Sequence, residues 1–133
     1  MEKENYGPID QVNIIEEMIG KTFRMVTNVD DEELHFISDD GYDYIFYHDQ
    51  DCCESVAIED IAGNLEDLEG SPITMAEETI HESQYEDEWG MSSTYTFYKF
   101  ATAKGYVTVR WFGESNGYYS ESVNFTIQRL RAN

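Results

Sequence analysis

The chain of 133 residues predicts an α+β domain: a mainly antiparallel β-sheet of about six or seven strands with one or two short helices packed on one face. Three observations carry that expectation. Short runs rich in Val, Ile, Thr, Tyr and Phe alternate with a period of two. Turn residues stand between them at hairpin spacing, in Asp39-Asp40-Gly41, Ala103-Lys104-Gly105 and Ser115-Asn116-Gly117. Two further segments carry apolar residues three and four apart, the spacing that paints one side of a helix.

In chain order, Asp10 is a candidate N-cap, and Val12, Ile14, Ile15, Met18 and Ile19 follow at helical spacing until Gly20. Residues 1–20 therefore read as an N-terminal helical segment. From Thr22 the period changes to two, and "TFRMVTNV", "ELHFISDD" and "YDYIFYH" read as a three-stranded meander. "SVAIED" begins as a strand. Ile61, Leu65 and Leu68 then suggest a second short helix closed by Gly70, and Pro72 forbids its continuation. "PITMAEETI" reads as a strand, and the polar, aperiodic residues 81–93 as a flexible loop. "STYTFYKFATAKGYVTVRWFG" is a hairpin and "SVNFTIQRL" a last strand. Alternation assigns Tyr95, Phe97, Val107, Val109, Trp111, Val123, Phe125 and Ile127 to the core, with Lys99, Thr108, Arg110, Asn124, Thr126 and Gln128 on the other side. The whole, 1–133, is read as a single acidic domain.

Charge is the strongest compositional feature. The formal net charge is -20, with 28 Asp and Glu against eight Lys and Arg. Such a surface repels DNA, RNA and anionic membranes, which need clustered cations to release counterions. Its complementary partners are basic surfaces. A hydrophobic content of 41% with ten tyrosines still supports a packed core rather than a disordered chain. No apolar run approaches a bilayer span, and "MEKENYGPID" has no leader character, so a cytoplasmic location is expected.

Two stretches concentrate chemistry-bearing residues. "YHDQDCCES" places His48, Asp49, Asp51, Cys52, Cys53 and Glu54 together. As a zinc site it offers two or three ligands where a structural zinc takes four, and His35 and His81 stand in unrelated segments. As a nucleophilic site it surrounds each thiol with carboxylates, which disfavour the thiolate. Adjacent cysteines in a reducing compartment read as free thiols, one of them packed inward as a small hydrophobe. "WFGESNGYYSES" is rich in hydroxyls and rings, and Tyr118 and Tyr119 offer stacking faces. It holds no nucleophile elbow, and no phosphate loop or dinucleotide fingerprint occurs in the chain. Neither a metal nor a cofactor is expected, and no catalytic residue is assigned.

The third feature is the acidic repetition, in particular Asp30, Asp31, Glu32, Glu33, Asp39, Asp40, Glu86, Asp87 and Glu88. Such runs serve as a solvated face, or as an imitation of the phosphate backbone.

The strings "YHDQDCCESVAIEDIAGNLEDLEGSPITMAEE" and "STYTFYKFATAKGYVTVRWFGESNGYYSESVNF" resemble a family of small bacteriophage-associated proteins, a domain of unknown function. The resemblance covers about Lys21 to Phe125 and implies a phage or prophage origin, with no catalytic residue to carry over. Together with the charge it suggests a non-enzymatic interaction protein: an inhibitor of a host defence or nucleic-acid enzyme, acting through an acidic, nucleic-acid-mimicking surface on a basic partner. The alternative is a small-molecule or nucleotide-signal binding protein, a sponge. Its pocket would be formed by His48, Asp49, Asp51, Cys52, Cys53, Glu54, Arg110, Tyr118 and Tyr119. A metal-dependent enzyme is the weakest of the three readings. The oligomeric state is expected to be a monomer or homodimer.

Overall fold

The computed structural model describes residues 14–83, 88 and 90–130. Eight strands run through them: β1 (Phe23–Val29), β2 (Glu33–Ser38), β3 (Tyr42–Tyr47), β4 (Ser55–Ala62), β5 (Met75–Glu82), β6 (Ser92–Thr102), β7 (Gly105–Ser115) and β8 (Asn124–Arg129). They form two antiparallel four-stranded sheets, ordered β1-β2-β3-β8 and β4-β7-β6-β5. The sheets face one another across a shared aromatic core. Phe36 meets Phe100 with ring centroids 4.9 Å apart, and Phe46 meets Tyr98 at 4.8 Å. The molecule is a β-sandwich.

This corrects the α+β expectation. Among the described residues there is no α-helix, only two 3-10 turns, Ile15–Met18 and Leu65–Leu68. Leu65 and Leu68 are three apart, and a 3-10 turn aligns i and i+3 on one side, so the same spacing serves the shorter structure. Asn64 caps that turn through its side-chain oxygen, which accepts from the Glu66 N–H at 3.1 Å. Gly63 before it and Gly70 after it have positive φ, which limits it to a single turn. At the N-terminus only Ile15–Met18 coil, seating Met18 fully in the core. Residues 1–13 of the expected N-terminal helical segment lie outside the described residues.

The meander of β1 to β3, the β6–β7 hairpin and β8 stand where the alternation puts them. One side of β6 does not. Tyr98 and Phe100 are buried in the core, with Thr94 and Thr96 beside them, while Tyr95 and Phe97 lie on the outer side. The sequence carries rings at both parities of this strand, and Lys99 shares the parity of Tyr95 and Phe97. A solvated ammonium takes its side of the strand outward. Within residues 81–93, β5 continues to Glu82 and β6 opens at Ser92, with the Ser83 N–H extending the ladder to Ser93 O at 2.9 Å. Residues 84–87 and 89 lie outside the described residues.

The connections fix what lies at each end. The chain passes from one sheet to the other between β3 and β4, over residues 48–54, and returns between β7 and β8, over residues 116–123. Register places Tyr47 opposite Asn124 and Ser55 opposite Glu114. The two crossovers therefore bridge the same gap, side by side and in opposite directions. The β1–β2 turn lies at this same end, because Glu33 pairs with Tyr47, and so does the β5–β6 connection, because Ser92 pairs with Ser115.

Candidate functional site

The first crossover is organised around one buried carboxylate. Glu54 is 4% exposed and accepts from the Asp51 N–H at 2.7 Å, the Cys52 N–H at 2.9 Å and His48 Nε2 at 2.7 Å. Gln50 Nε2 donates to the Glu54 carbonyl at 2.7 Å. A carboxylate accepting several N–H groups outweighs the cost of its own burial. Burial alone pushes Glu54 up, but the Cys52 N–H, the His48 ring and the Asp51 N–H hold it down at about 2. Cys52 and Cys53 are exposed and joined to each other in a disulfide, which replaces the expected free thiols.

His48 ties this crossover to the second one. Its Nδ1 donates to the Ser122 carbonyl at 2.8 Å while Nε2 faces Glu54. Its two ring nitrogens thus face one oxygen in each crossover. Beside it the Asp49 N–H donates to the Asn124 side-chain oxygen at 2.9 Å. The side chains of Asp49 and Asp51 are exposed.

The second crossover has its own anchor. The Asn116-Gly117 turn is closed by the Gly117 N–H to Ser115 Oγ and the Tyr118 N–H to Asn116 Oδ1, both at 3.0 Å, and Gly117 supplies the positive φ. Glu121 then reaches back to the sheet. It accepts from Ser115 Oγ at 2.5 Å, Thr94 Oγ1 at 2.7 Å and Ser92 Oγ. Burial raises its pKa, and the three hydroxyls lower it further than burial raises it. A Cβ at Gly113 would stand 2.7 Å from the Glu121 carbonyl oxygen, so glycine is what lets this segment lie against β7. Tyr118 projects into solvent, 87% exposed, and Tyr119 is half-buried.

Two clefts flank the His48–Ser122 bond and share no lining residue. One, of about 420 Å³, is lined by Glu32, His48, Gln50, Glu54 and the start of β4. The other, of about 360 Å³, lies between the inner side of β5 and β6 and residues Tyr119–Ser122. Arg110 belongs to neither. It projects from the outer side of β7, where Nε donates to Glu59 at 2.8 Å and the guanidinium lies 5.9 Å from the Tyr95 ring. Among the described residues no group of three or more His, Cys, Asp and Glu is arranged to hold a metal ion.

The acidic candidates divide between the two ends. Asp30, Asp31, Glu32 and Glu33 form the β1–β2 turn at the crossover end. Asp30 and Asp31 both have positive φ, and Asn28 exchanges hydrogen bonds of 2.8 and 2.9 Å with Asp31. The Asp31 carbonyl accepts from the Ile58 N–H at 2.7 Å, which docks the turn on β4. Asp39 and Asp40 form the β2–β3 turn at the far end, with Asp40 paired to Lys21 at 3.5 Å. Glu88 is exposed, and Glu86 and Asp87 lie outside the described residues.

The described cations are distributed unequally. Lys21, Arg24, Lys104 and Arg129 sit toward the far end, and Lys99 and Arg110 lie along the outer side of the second sheet. The crossover end collects Asp30 to Glu33, Asp49, Asp51, Glu82, Glu88, Glu114 and Glu121, with no described Lys or Arg among them. Three participants at this end escaped the sequence reading: the anchoring role of Glu121, the docking role of Gly113 and the tie at Asn124. Their signal, a carboxylate surrounded by Ser and Thr from the neighbouring strands β6 and β7, exists only once the register is known.

Residues 16–125 match a family whose description is a domain of unknown function. No curated protein and no solved structure matches the chain.

Proposed function

The chain belongs to the DUF7448 family, and we propose that it is a non-enzymatic interaction protein whose acidic crossover end enters the basic channel of a nucleic-acid enzyme. One observation carries this reading: carboxylates from four separate connections and turns converge at one end of a sandwich that brings no described Lys or Arg there. Among the described carboxylates only Asp43 and Glu54 are buried, so nearly all of the charge is displayed. Holding like charges together on a folded scaffold costs self-repulsion, and a basic cleft relieves it. We further infer a phage-encoded origin and a host defence enzyme as the target class, on the resemblance of the crossover strings to small phage proteins.

The second reading, a nucleotide-signal sponge, finds less support. Of the expected pocket residues, His48 and Glu54 line one cleft and Tyr119 the other; neither cleft is lined by Lys or Arg among the described residues, and phosphates are held by such cations.

The test is competition. Fluorescence anisotropy of a labelled DNA duplex on a panel of purified bacterial nucleases should fall as this protein is added. Displacement should weaken strongly between about 50 and 500 mM salt. Neutralising the β1–β2 turn (D30N, D31N, E32Q, E33Q) should weaken it further. Tight binding that is insensitive to salt, or simultaneous occupancy by duplex and protein, overturns the proposal.

A further inference from the structure

The cleft under the second crossover has a lining that the acidic-surface function does not use. Hydroxyls dominate it: Ser83, Ser92, Ser93, Thr94, Thr96, Ser120 and Ser122. The Glu82 and Glu121 carboxylates, the Tyr119 ring and the Ile80 side chain complete it, and no described Lys, Arg or His lines it. At about 360 Å³ it has the volume of a small-ligand site.

The polar groups are unevenly satisfied. Glu121 Oε2 takes the hydroxyls of Ser92 and Ser115, whereas Oε1 takes only that of Thr94 among the described residues. A carboxylate oxygen accepts two hydrogen bonds, so among the described residues Oε1 keeps one position open. Glu82 is exposed at the cleft mouth. On the inner wall Thr96 pairs in register with Trp111, which is 1% exposed and whose indole N–H has no partner among the described residues.

The lining selects by charge. An anion would meet two carboxylates and no cation, which excludes phosphates and carboxylic acids. An ammonium group carries three donors and no acceptor, and this lining offers acceptors in quantity. Ile80, 51% exposed, gives an aliphatic body a surface to cover, and the Tyr119 ring offers a face to a cation. We propose that this cleft binds a small primary-ammonium compound, with its N–H groups on Glu82, the open position of Glu121 and the hydroxyl rim, and its hydrocarbon body along Ile80. The site is independent of the acidic turn at Asp30 to Glu33.

The test uses 1,4-diaminobutane as the probe, with 1,4-butanediol and adenosine monophosphate as neutral and anionic controls. Calorimetry in about 150 mM salt, where exposed charges are screened, should show saturable one-to-one binding of the diamine and no heat from either control. The fluorescence of Trp111, read in a Trp89→Phe background, should shift with the same saturation. Ile80→Trp fills the cleft from an exposed position and should abolish binding. Glu82→Gln should weaken it by about tenfold, the loss of one charge-assisted contact. Glu32→Gln, a carboxylate outside the cleft, should leave the affinity unchanged. Non-saturating heat, or equal binding by Ile80→Trp and the parent chain, identifies a diffuse counterion atmosphere and overturns the proposal.

Discussion

His48 and Ser122 stand 74 residues apart in the chain and are joined by a hydrogen bond of 2.8 Å. That bond holds together the only two passages the described chain makes between its sheets. Because His48 also faces Glu54 at 2.7 Å, a single ring fixes the spacing of both crossovers and, with it, the placement of the carboxylates around them.

His48→Ala should therefore loosen the second crossover and not only the first. It leaves the Ser122 carbonyl and the buried Glu54 carboxylate short of a donor, a cost of about 1–3 kcal/mol. Denaturant unfolding reads the loss. Amide exchange should show faster exchange across 116–123 as well as 48–54. An effect confined to 48–54 would mean that the His48–Ser122 bond holds nothing in place.

Acid should act through Glu54. Its carboxyl is held down at about 2, below the ordinary 4.5, so the folded state releases this proton more readily than the unfolded chain. The stabilisation is present in full above the ordinary value and disappears as pH falls toward 2. Glu54→Gln should flatten the fall in unfolding free energy between about pH 5 and pH 2. An unchanged slope would show that other carboxylates dominate acid unfolding.

His35 should act in the opposite direction. Burial lowers its pKa, but Glu33 at 2.8 Å and Asp43 at 2.8 Å raise it by more, and the net shift is upward. Asp43 is raised too, chiefly by its own burial. A group raised on folding stabilises below its unfolded pKa and loses that contribution as pH rises through the folded value. Stability should decline above about pH 6.5, and His35→Gln should remove that part of the decline. Asp43 works with the same sign lower on the pH scale, so its titration does not mask the effect.

Packing and backbone can be separated with three substitutions. Phe46 is fully buried and its ring neighbours Phe36, Tyr98, Phe100 and Phe125, so Phe46→Ala should cost about 3–5 kcal/mol. Gly41→Ala meets open space at a φ of +94° and should cost about 1–2 kcal/mol from conformation alone. Gly63→Ala adds a Cβ 2.6 Å from the Tyr106 carbonyl oxygen and should cost clearly more than Gly41→Ala. Urea midpoints of the three variants give the ranking directly.

What the sequence made legible follows from which interactions are local. The β1–β2–β3 meander and the β6–β7 hairpin were readable because turn residues and alternation are contained within each hairpin. The helices were misread because Leu65 and Leu68, three apart, fit a single 3-10 turn as well as an α-helix. Tyr95 and Phe97 were assigned inward because β6 carries rings on both sides, and only Lys99 and the pairing with β7 decide which side is solvated. The cysteines were read as free thiols from the expected reducing compartment, and the structure joins them to each other. The meeting of the 48–54 and 116–123 stretches depended on β3 pairing with β8 and β4 with β7. Those pairings join segments more than forty residues apart, which no local pattern encodes.

The paired crossovers also decide how the molecule opens. They bind it like the spine of a book. The opposite end has a clasp: residues 20–26 are laced to 69–73 through Gly20 N–H to Ile73 O, Ile73 N–H to Lys21 O, Gly70 N–H to Phe23 O and Val26 N–H to Glu69. Releasing the clasp parts the two leaves without unthreading the spine. Breathing motions should therefore begin among Lys21, Glu69 and Ile73, while the carboxylate-bearing edge keeps its shape through them.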